Sequence, residues 1–403
     1  MTNRQLFQHF LAPTSPSALM LEIERGDGIY LYGPNGEKYI DAISGIAVSA
    51  LGHCHPKIVE AILNQSRKYM HTMVYGEFVL SPQTQLAKFI CSILPATLQS
   101  VYFTNSGTEA TEAAMKLAKR ITGKSNFIAF KNAYHGSSQG ALSLMGDEYF
   151  KTAFRPLLPG IKNVKYNDLF TLSEINDDTA AVFFEPIQAE SGVLIPDLEF
   201  VVALRKKCDE TNTILVFDEI QSGCGRTGFW FAFEKYGVLP DVLLLAKAFG
   251  GGLPLGAVIS SKENMWAFTE NPVLGHITTF GGNPVCCAAS LAMLTSIDSG
   301  NLIQQVLRKE ALFATYLVHP RIISFNHAGL LMAIHFESPE FNQMVIENCI
   351  QKGLITDWFL FAPNALRLAP PLIINDKEII EICNIILKSI DEASLFIKNS
   401  ENK

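Results

Sequence analysis

The sequence predicts an α/β fold built on a mainly parallel β-sheet that is covered by helices on both faces. Its central strands, such as TAAVFF in residues 179–184 and VLLL in residues 242–245, are almost entirely apolar and show no polar alternation. Strands of this kind are buried on both faces, which is typical of parallel sheets. They also alternate along the chain with helical stretches, and this alternation favours the α/β class.

The central part of the chain carries most of these alternating elements. Amphipathic periodicity predicts helices in residues 56–70 and 81–94, with Ser81 as the cap of the second helix. A third helix, residues 108–123, is expected to end at Gly123. The predicted strands lie in SVYFTNSG, NFIAFKNAY, TAAVFFEPI, TILVFDEI, DVLLLA and LGAVISS.

The two ends of the chain predict a second, smaller α+β domain. GIYLYGPNGEKYIDA carries two short runs around Pro-Asn-Gly, which is a hairpin signature. Towards the carboxyl end, GLLMAIHFE, GLITDWF and ALRLAPPLII are predicted strands, and DKEIIEICNIILKSIDEASLFI is a predicted closing helix. We therefore expect a large domain in residues 56–289 and a small domain formed by residues 1–55 and 290–403.

Composition argues against several classes of partner. The net charge is −7 and there is no strongly basic run, which disfavours nucleic acid and membrane surfaces. No run of about 20 apolar residues is present to span a bilayer, and the amino terminus lacks a signal-peptide pattern. The eight cysteines have no metal-ligand spacing and are interpreted as buried thiols. We expect a cytoplasmic protein without a metal site.

Lys247 stands between an apolar run and three consecutive glycines in LLLAKAFGGGLPLGAV. An unpaired ammonium group inside a core is costly, so a lysine there shifts its pKa, finds a partner or reacts. The competing interpretation is a surface lysine whose aliphatic stem covers apolar side chains.

Other polar side chains follow the predicted strands at their carboxyl ends, where open α/β sheets bind ligands. Asp218 would pair with a protonated ring nitrogen or would cap the next turn, and Gln221 could reach the same ligand. Tyr134, followed by His135, would stack on a flat ring or would fill its loop.

The segment FTNSGTEA leads from a strand into a helix through Ser106, Gly107 and Thr108. Free N–H groups at a helix start favour an anion such as phosphate, and the same residues would equally serve as a helix cap. Glu185 and Glu190, in FFEPIQAESG, are each interpreted as structural when taken alone.

Taken together, these features predict one ligand with a basic planar ring, a phosphate group and an aldehyde that a lysine can trap. Pyridoxal phosphate has all three, since it forms a Schiff base with lysine and its ring nitrogen takes an acidic partner.

The order of the motifs resembles that of class III pyridoxal-phosphate aminotransferases of the acetylornithine, ornithine and 4-aminobutyrate type. The matching segments are GIAVSALGHCHPKIVEAI, NSGTEATEAAMKLAKR, EPIQAESGV, FDEIQSGCGRTG, LAKAFGGGLPLGAV and TTFGGNP. The resemblance implies the type I fold of pyridoxal-phosphate-dependent transferases. It also implies ω-amino transfer from an ornithine- or acetylornithine-like amino acid, or a diamine, to 2-oxoglutarate by a ping-pong route.

Two other activities remain open at this point. One is an aminomutase or a decarboxylase on the same fold, and the other is a catalytically silent protein that binds pyridoxal phosphate.

The resemblance assigns Lys247 as the Schiff-base lysine and Asp218 as the partner of the ring nitrogen. It implies that Thr279 reaches the phosphate in the neighbouring subunit, and hence a homodimer with shared active sites or a tetramer of such dimers. The other residues that it implies for the cofactor are Ser106, Gly107, Thr108, Tyr134, His135, Glu185 and Gln221.

The resemblance also implies a substrate-binding set. Glu190 matches a gate residue that pairs with Arg367 and frees it for the α-carboxylate of glutamate, while Ile46 and Tyr75 match positions that vary with substrate. The remaining member of the set is Ser137.

Ser137 departs from the ornithine and acetylornithine pattern, which has arginine there to hold a substrate carboxylate. Serine cannot make that bidentate contact. The donor therefore lacks this carboxylate or binds it through another residue, for which Arg155 is a candidate.

Overall fold

The computed structural model describes residues 1–401 of the 403-residue chain. The helices are α1 Asn3–Phe10, α2 Ser44–Ala47, α3 Pro56–Lys68, α4 Ser81–Ser92, α5 Gly107–Thr122, α6 Gln139–Leu144, α7 Leu198–Glu210, α8 Lys262–Trp266, α9 Pro284–Ser299, α10 Ile303–Tyr316, α11 Pro339–Gln351 and α12 Asp376–Glu401. The strands are β1 Arg25–Asp27, β2 Tyr30–Tyr32, β3 Lys38–Asp41, β4 Ser100–Thr104, β5 Asn126–Phe130, β6 Ile161–Val164, β7 Thr179–Phe184, β8 Ile214–Asp218, β9 Val242–Leu245, β10 Gly256–Ser260, β11 Ser324–Ala328, β12 Leu331–His335, β13 Leu354–Ile355, β14 Asp357–Phe359 and β15 Ala362–Leu368.

The centre of the molecule is a seven-stranded sheet in the order β4-β10-β9-β8-β7-β5-β6. Strands β9, β8, β7, β5 and β6 are parallel neighbours, and only β10 runs antiparallel to the strands on either side of it. The predicted α/β class with a mainly parallel sheet is therefore confirmed. The edge strand β6, with sequence IKNV, was not predicted because its polar residues and partial exposure break the apolar pattern.

The apolar strands are buried because both faces of this sheet are covered. Neighbouring residues of β7 point to opposite faces, so Phe183 joins a cluster with Ala113 and Leu117 of α5. Phe184 joins the larger cluster on the other face, together with Phe200 of α7. Burial on both faces explains why these strands show no polar alternation.

The two ends of the chain meet in a second sheet, ordered β1-β2-β3-β13. The hairpin β2–β3 predicted around Pro-Asn-Gly is present, and β13 adds to β3 in parallel, with Leu354 opposite Ile40. A third sheet, ordered β11-β12-β15-β14, comes entirely from the carboxyl-terminal part. The boundaries at residues 55 and 289 stay predictions.

Several local predictions were wrong. Ser81 is already the first residue of α4, so the N-cap position falls on Leu80, whose side chain makes no capping hydrogen bond. Helix α1 was not predicted; it is short and is stabilised at its start by Thr2 and Gln5, which cap each other's backbone N–H groups. Cys54 is exposed, although the cysteines had been interpreted as buried thiols.

Among the described helices, none is by itself long and apolar enough to cross a membrane. The bent pair α9 and α10 meets that criterion jointly, by length and composition only.

The parallel strands place their carboxyl ends at one edge of the central sheet. Strands β5, β7, β8 and β9 end there at Phe130, Phe184, Asp218 and Leu245. The segments that follow these strands contain the polar residues singled out in the sequence, so the topology brings them together.

Candidate active site

A cavity of about 520 Å³ opens at this edge of the sheet. Ten of the predicted site residues line it, namely Ser106, Gly107, Thr108, Tyr134, His135, Ser137, Glu185, Asp218, Gln221 and Lys247. The lining residues that sequence reasoning did not single out include Val48, Ile187, Ile220, Ser222 and residues 252–255. Most of these are apolar or form the glycine-rich turn, so they carried no chemical signal of their own.

One residue, Ala246, separates Lys247 from the end of β9, and Lys247 begins a short 3-10 turn, Lys247–Gly250. Its backbone φ of 48° lies in the left-handed region, which costs a non-glycine residue about 1–2 kcal/mol. Strain of this kind persists where the surrounding structure imposes it, often at functional sites.

The side chain of Lys247 is enclosed by protein and keeps partial solvent contact through the open cavity. Burial lowers its pKa to about 8, although the nearby carboxylates of Glu190 and Asp218 favour the charged form. A lysine with this pKa presents far more neutral amine near pH 8 than an exposed lysine does, and neutral amine is the nucleophilic form.

Asp218 is fixed by two contacts at the end of β8. Its Oδ2 lies 2.7 Å from Nδ1 of His135, and its Oδ1 accepts the backbone N–H of Ile220 at 3.0 Å. Both ionisable side chains are buried. Because a carboxylate can only accept, the imidazole donates from Nδ1. Nε2 of His135 has no hydrogen-bond partner among the described residues.

The start of α5 satisfies both interpretations of its sequence. Ser106 caps the helix, since its Oγ accepts the N–H of Glu109 at 3.3 Å and its carbonyl accepts the N–H of Ala110 at 3.1 Å. Within the described part of the chain, no acceptor is assigned to the N–H groups of Gly107 and Thr108, which line the cavity. These donors at a helix start form a site for an anion.

The loop after β5 packs tightly against the start of α5. A Cβ on Gly136 would lie 2.4 Å from Oγ1 of Thr108, so this position requires glycine, whose φ is 128°. The N–H of Ser138 donates to the same Oγ1 at 3.1 Å. The loop thereby brings Tyr134 and Ser137 to the cavity, with their hydroxyl oxygens 3.1 Å apart.

Glu185 is a buried carboxyl group that lines the cavity. Burial, together with the negative charges of Asp218 and Glu190, raises its pKa well above the ordinary value. Its Oε2 accepts a hydrogen bond from the backbone N–H of Tyr134, with 3.4 Å between the oxygen and the nitrogen. Burial and these two neighbouring charges therefore favour the neutral form of Glu185.

Glu190 and Arg367 form a buried, two-pronged ion pair beside the cavity. Nη1 and Nη2 of Arg367 donate to the two carboxylate oxygens at 2.8 Å and 3.0 Å, and Gln221 donates to the same carboxylate at 2.8 Å. Burial alone would raise the pKa of Glu190, but the guanidinium lowers it. Sequence reasoning missed Asp357, whose Oδ1 lies 2.9 Å from Nε of Arg367 without hydrogen-bond geometry.

The remaining predicted residues do not line the cavity of their own chain. Ile46 and Tyr75 are half-buried, and Thr279 is exposed. Arg155 is exposed and pairs with Glu148 at 2.5 Å, so within its own chain it is not the replacement for a carboxylate-binding arginine.

Within the described residues, no group of three or more His, Cys, Asp or Glu side chains is arranged to hold a metal ion.

A sequence model of one family, described as Aminotransferase class-III, matches residues 11–390. The chain belongs to the class III aminotransferases. Enzymes of this family depend on pyridoxal phosphate, and their substrates are an amino donor and a 2-oxo acid acceptor.

Among similar proteins is the acetylornithine aminotransferase of Methanopyrus kandleri, with 40% identity over 88% of this chain and 90% of the relative. The putrescine aminotransferase of Pectobacterium atrosepticum is 38% identical over 86% of this chain and 78% of the relative. A solved ornithine aminotransferase from Toxoplasma gondii, described with partial pyridoxal-phosphate occupancy at its active site, has a TM-score of 0.90 and 27% identity. That likeness covers 99% of this chain and 95% of the other, which confirms the predicted type I fold.

The cavity of this class III aminotransferase fits pyridoxal phosphate in the chemistry of its groups. It combines an amine of lowered pKa at Lys247, a fixed carboxylate at Asp218 and the N–H donors of Gly107 and Thr108. An amine, an acid and an anion site match the three polar parts of the cofactor.

Proposed function

We propose that this aminotransferase moves an ω-amino group from an ornithine- or acetylornithine-like amino acid, or from a diamine, to 2-oxoglutarate. The observation that carries the proposal is the amine of Lys247, with a pKa of about 8, in one cavity with Asp218 and the start of α5. Relatives named for acetylornithine and for putrescine match the chain at similar identity, which supports a donor of this class.

Each polar group of the cavity has a proposed role toward the cofactor. Lys247 would bind the carbonyl carbon, Asp218 would hold a proton on the ring nitrogen, and Tyr134 would stack on the ring. Ser106, Gly107 and Thr108 would hold the phosphate, and Gln221 would bind the phenolic oxygen. His135 and Glu185 support this set, His135 by orienting Asp218 through its 2.7 Å contact.

The chemistry divides between the cofactor and the protein. When bound, pyridoxal phosphate supplies a ring that accepts an electron pair from the substrate carbon. Lys247, as a free amine, would take the proton from that substrate carbon. Asp218 would keep the ring nitrogen protonated, and the positive charge held there would face the developing negative charge, which is a large catalytic contribution.

The Glu190–Arg367 pair is proposed to separate the two half-reactions. While it is closed, the guanidinium is occupied by Glu190 and the donor amine meets no free arginine there. When Glu190 releases Arg367, the guanidinium is free to bind the α-carboxylate of 2-oxoglutarate or glutamate. Since donor and acceptor use one cavity, the keto product leaves before the acceptor enters, which gives a ping-pong order.

Ser137 and Tyr134, whose hydroxyl oxygens lie 3.1 Å apart, line the part of the cavity that we propose for the far end of the donor. Ile46 and Tyr75 are proposed to shape this end of the site. A hydroxyl pair favours a neutral or an amine-bearing end of the donor over a carboxylate, because a buried carboxylate needs a cation or several donors.

We also propose a homodimer that shares its active sites, with a tetramer of dimers as the larger alternative, in the cytoplasm. Apolar side chains are exposed on α3, on the segment before α4 and on the segment before α9. They include Val59, Leu63, Met70, Phe78, Val79, Val273, Leu274, Ile277 and Phe280. Exposed apolar side chains in such number favour a protein interface, and Thr279 lies in the segment before α9 that carries four of them.

The proposal is tested by mixing the purified protein, loaded with pyridoxal phosphate, with one donor at a time and 2-oxoglutarate. The donors are ornithine, N-acetylornithine, 4-aminobutyrate, lysine and putrescine, and glutamate is measured by mass spectrometry. Glutamate formed with at least one donor, and absent with Lys247→Ala, is the expected result. Release of carbon dioxide or an isomerised donor without glutamate would instead indicate a decarboxylase or an aminomutase. A cofactor that no amine alters would indicate a silent binding protein.

A further inference from the structure

Element α2, Ser44–Ala47, differs from the other helices in that it is a single left-handed turn, and it lies next to the cavity. The φ angles of Ser44, Gly45, Ile46 and Ala47 are 51°, 59°, 63° and 59°. The N–H of Ala47 donates to the carbonyl of Ile43 at 2.8 Å, and the N–H of Val48 donates to the carbonyl of Ser44 at the same distance. L-residues visit this region singly and rarely in succession, so the surroundings must impose the conformation.

Asp41 imposes it from the amino-terminal side. Its Oδ1 accepts the N–H of Ile43 at 3.0 Å and the N–H of Ser44 at 2.8 Å, while its Oδ2 lies 2.9 Å from Nε2 of His53. Asp41 is only 3% exposed. The buried carboxylate of Asp41 thus connects the first residues of the turn to His53, which follows the turn in the chain.

The turn joins the two sides of the active site. Oγ of Ser44 donates to the carbonyl of Ala369 at 2.7 Å, two residues beyond Arg367. The turn also packs against the turn that begins at Lys247. Val48, directly after the left-handed residues, lines the cavity.

We propose that Asp41 and His53 are positioning residues that hold this left-handed turn and thereby set the cavity wall that receives the carbon chain of the donor. Loss of the carboxylate lets the turn relax toward right-handed or extended backbone, which moves Val48 and Ile46. Neither Asp41 nor His53 touches the reacting atoms, so Lys247 keeps its reactivity. The inference rests on the proposed function only in treating the donor as the ligand of this wall.

The structure offers a matched control for Asp41. Oε1 of Glu310 accepts from Nδ1 of His327 at 2.7 Å and from the N–H of Gly329 at 2.8 Å, so Glu310 also binds one imidazole and a backbone amide, with one amide fewer than Asp41. Glu310 does not line the cavity. Replacing Glu310 by alanine therefore removes a comparable set of contacts without touching the proposed wall.

The experiment compares Asp41→Ala, Asp41→Asn, His53→Ala and Glu310→Ala as holoenzymes. Hydrogen exchange of the amides of residues 43–49 reports on the turn directly and does not depend on the donor. KM for the best donor, and the ratio of kcat/KM between two donors, report on the wall.

For Asp41→Ala we expect at least tenfold faster exchange of these amides and at least a tenfold rise in donor KM, with kcat within threefold. Asp41→Asn retains the acceptor oxygen and should stay within threefold of the wild type in both. Glu310→Ala should lower Tm without changing KM or exchange in residues 43–49. If Asp41→Ala fails to fold, His53→Ala serves as the second variant, and we expect it to change amide exchange and donor KM in the same direction.

Three results would overturn the inference. Unchanged exchange of residues 43–49 in both Asp41→Ala and His53→Ala would show that these residues do not hold the turn. Faster exchange with unchanged donor KM and donor preference would show a purely structural role. An equal rise of KM in Glu310→Ala would show a general loss of stability. If the wild type turned over no donor, the proposed function would fail, while the exchange data would still decide whether Asp41 and His53 hold the turn.

Discussion

The surroundings of Lys247 disfavour a permanent positive charge on its amine. Burial lowers the pKa of the amine from its ordinary 10.5 to about 8, against the pull of Glu190 and Asp218. Between these two pH values the unfolded chain binds a proton that the native apoprotein has released. The free energy of unfolding therefore rises with pH through this window, and below about pH 8 the burial penalty is fully present.

Replacing Lys247 by methionine should therefore stabilise the apoprotein at pH 7. We expect the free energy of unfolding to increase by about 1–2 kcal/mol. The whole pKa shift, converted at about 1.4 kcal/mol per pKa unit, would give more, but the cavity admits water and this reduces the effect. The gain should shrink as pH rises from 8 to 10.5. Urea unfolding of cofactor-free protein measures it, with Lys206→Met, an exposed lysine on α7, as control. If the wild type and Lys247→Met were equally stable at pH 7, this would contradict the conclusion that burial destabilises the charged amine of Lys247.

Asp218 is expected to act through charge and not through shape. Asp218→Asn keeps the size of the side chain and a contact with His135, but it no longer favours a proton on a ring nitrogen. The predicted result is a fall in kcat of at least about 10²-fold, comparable to the loss of one electrostatic group in other active sites. Single-turnover absorbance measures this fall, while an unchanged Tm and circular dichroism spectrum verify the fold. A kcat within threefold of the wild type would rule out the role.

At the scale of elements, the site depends on strand ends and on the loops that follow them. Strand β15 carries Arg367, and the loop after β7 carries Glu190, so their ion pair links the carboxyl-terminal sheet to the central one. A buried pair of this kind is costly to break from one side, since the remaining charge is left without its partner.

Glu190→Gln should weaken the hold on Arg367 and change the balance between the two half-reactions. We expect the rate ratio of L-glutamate to ω-amine donor to rise about tenfold, since a freed guanidinium binds an α-carboxylate in either half-reaction. Stopped-flow measurement of each half-reaction gives this ratio. Glu310→Gln is the control, since Glu310 does not line the cavity. An unchanged ratio would mean that the pair has no gating role.

The sequence predicted the elements whose local pattern agrees with their environment. Strands β7, β8 and β9 are apolar because they are buried on both faces, and α5 ends at Gly123, whose φ is 70°. It did not predict β6 and β11, because partly exposed strands with polar residues lack the buried pattern. The left-handed turn was also missed. Its conformation is imposed by the distant partner Ala369 and by Asp41, and a single glycine, Gly45, was the local signal.

At the scale of the whole molecule, the sequence predicted the residues that line the cavity better than it predicted the contacts around the cavity. Ten predicted residues line one cavity, because the carboxyl ends of parallel strands meet at one edge. Ile46, Tyr75 and Thr279 do not line it, and the pairing of Arg367 with Asp357 was not foreseen. Such long-range contacts depend on how separate elements pack, which a local pattern does not encode.

The exposed apolar surface on α3 and on the segments before α4 and α9 predicts an interface between copies of the chain. Val79, which is 93% exposed, and Phe280 lie in it. Val79→Asp combined with Phe280→Asp should convert a dimer into a monomer, because two charges per subunit would be buried without partners. Light scattering after size-exclusion chromatography gives the mass. Val202→Asp, an exposed apolar position on α7, should leave the dimer intact. A wild-type protein that is monomeric at every concentration would contradict the predicted assembly.

The central claim is that the amine of Lys247 is the group that bonds the cofactor, and covalent trapping tests it most directly. The holoenzyme is treated with sodium borohydride, digested and analysed by peptide mass spectrometry. The account predicts a phosphopyridoxyl group on Lys247 and its disappearance in Lys247→Ala. The same modification found on a different lysine of the wild-type protein, with Lys247 unmodified, would contradict the account.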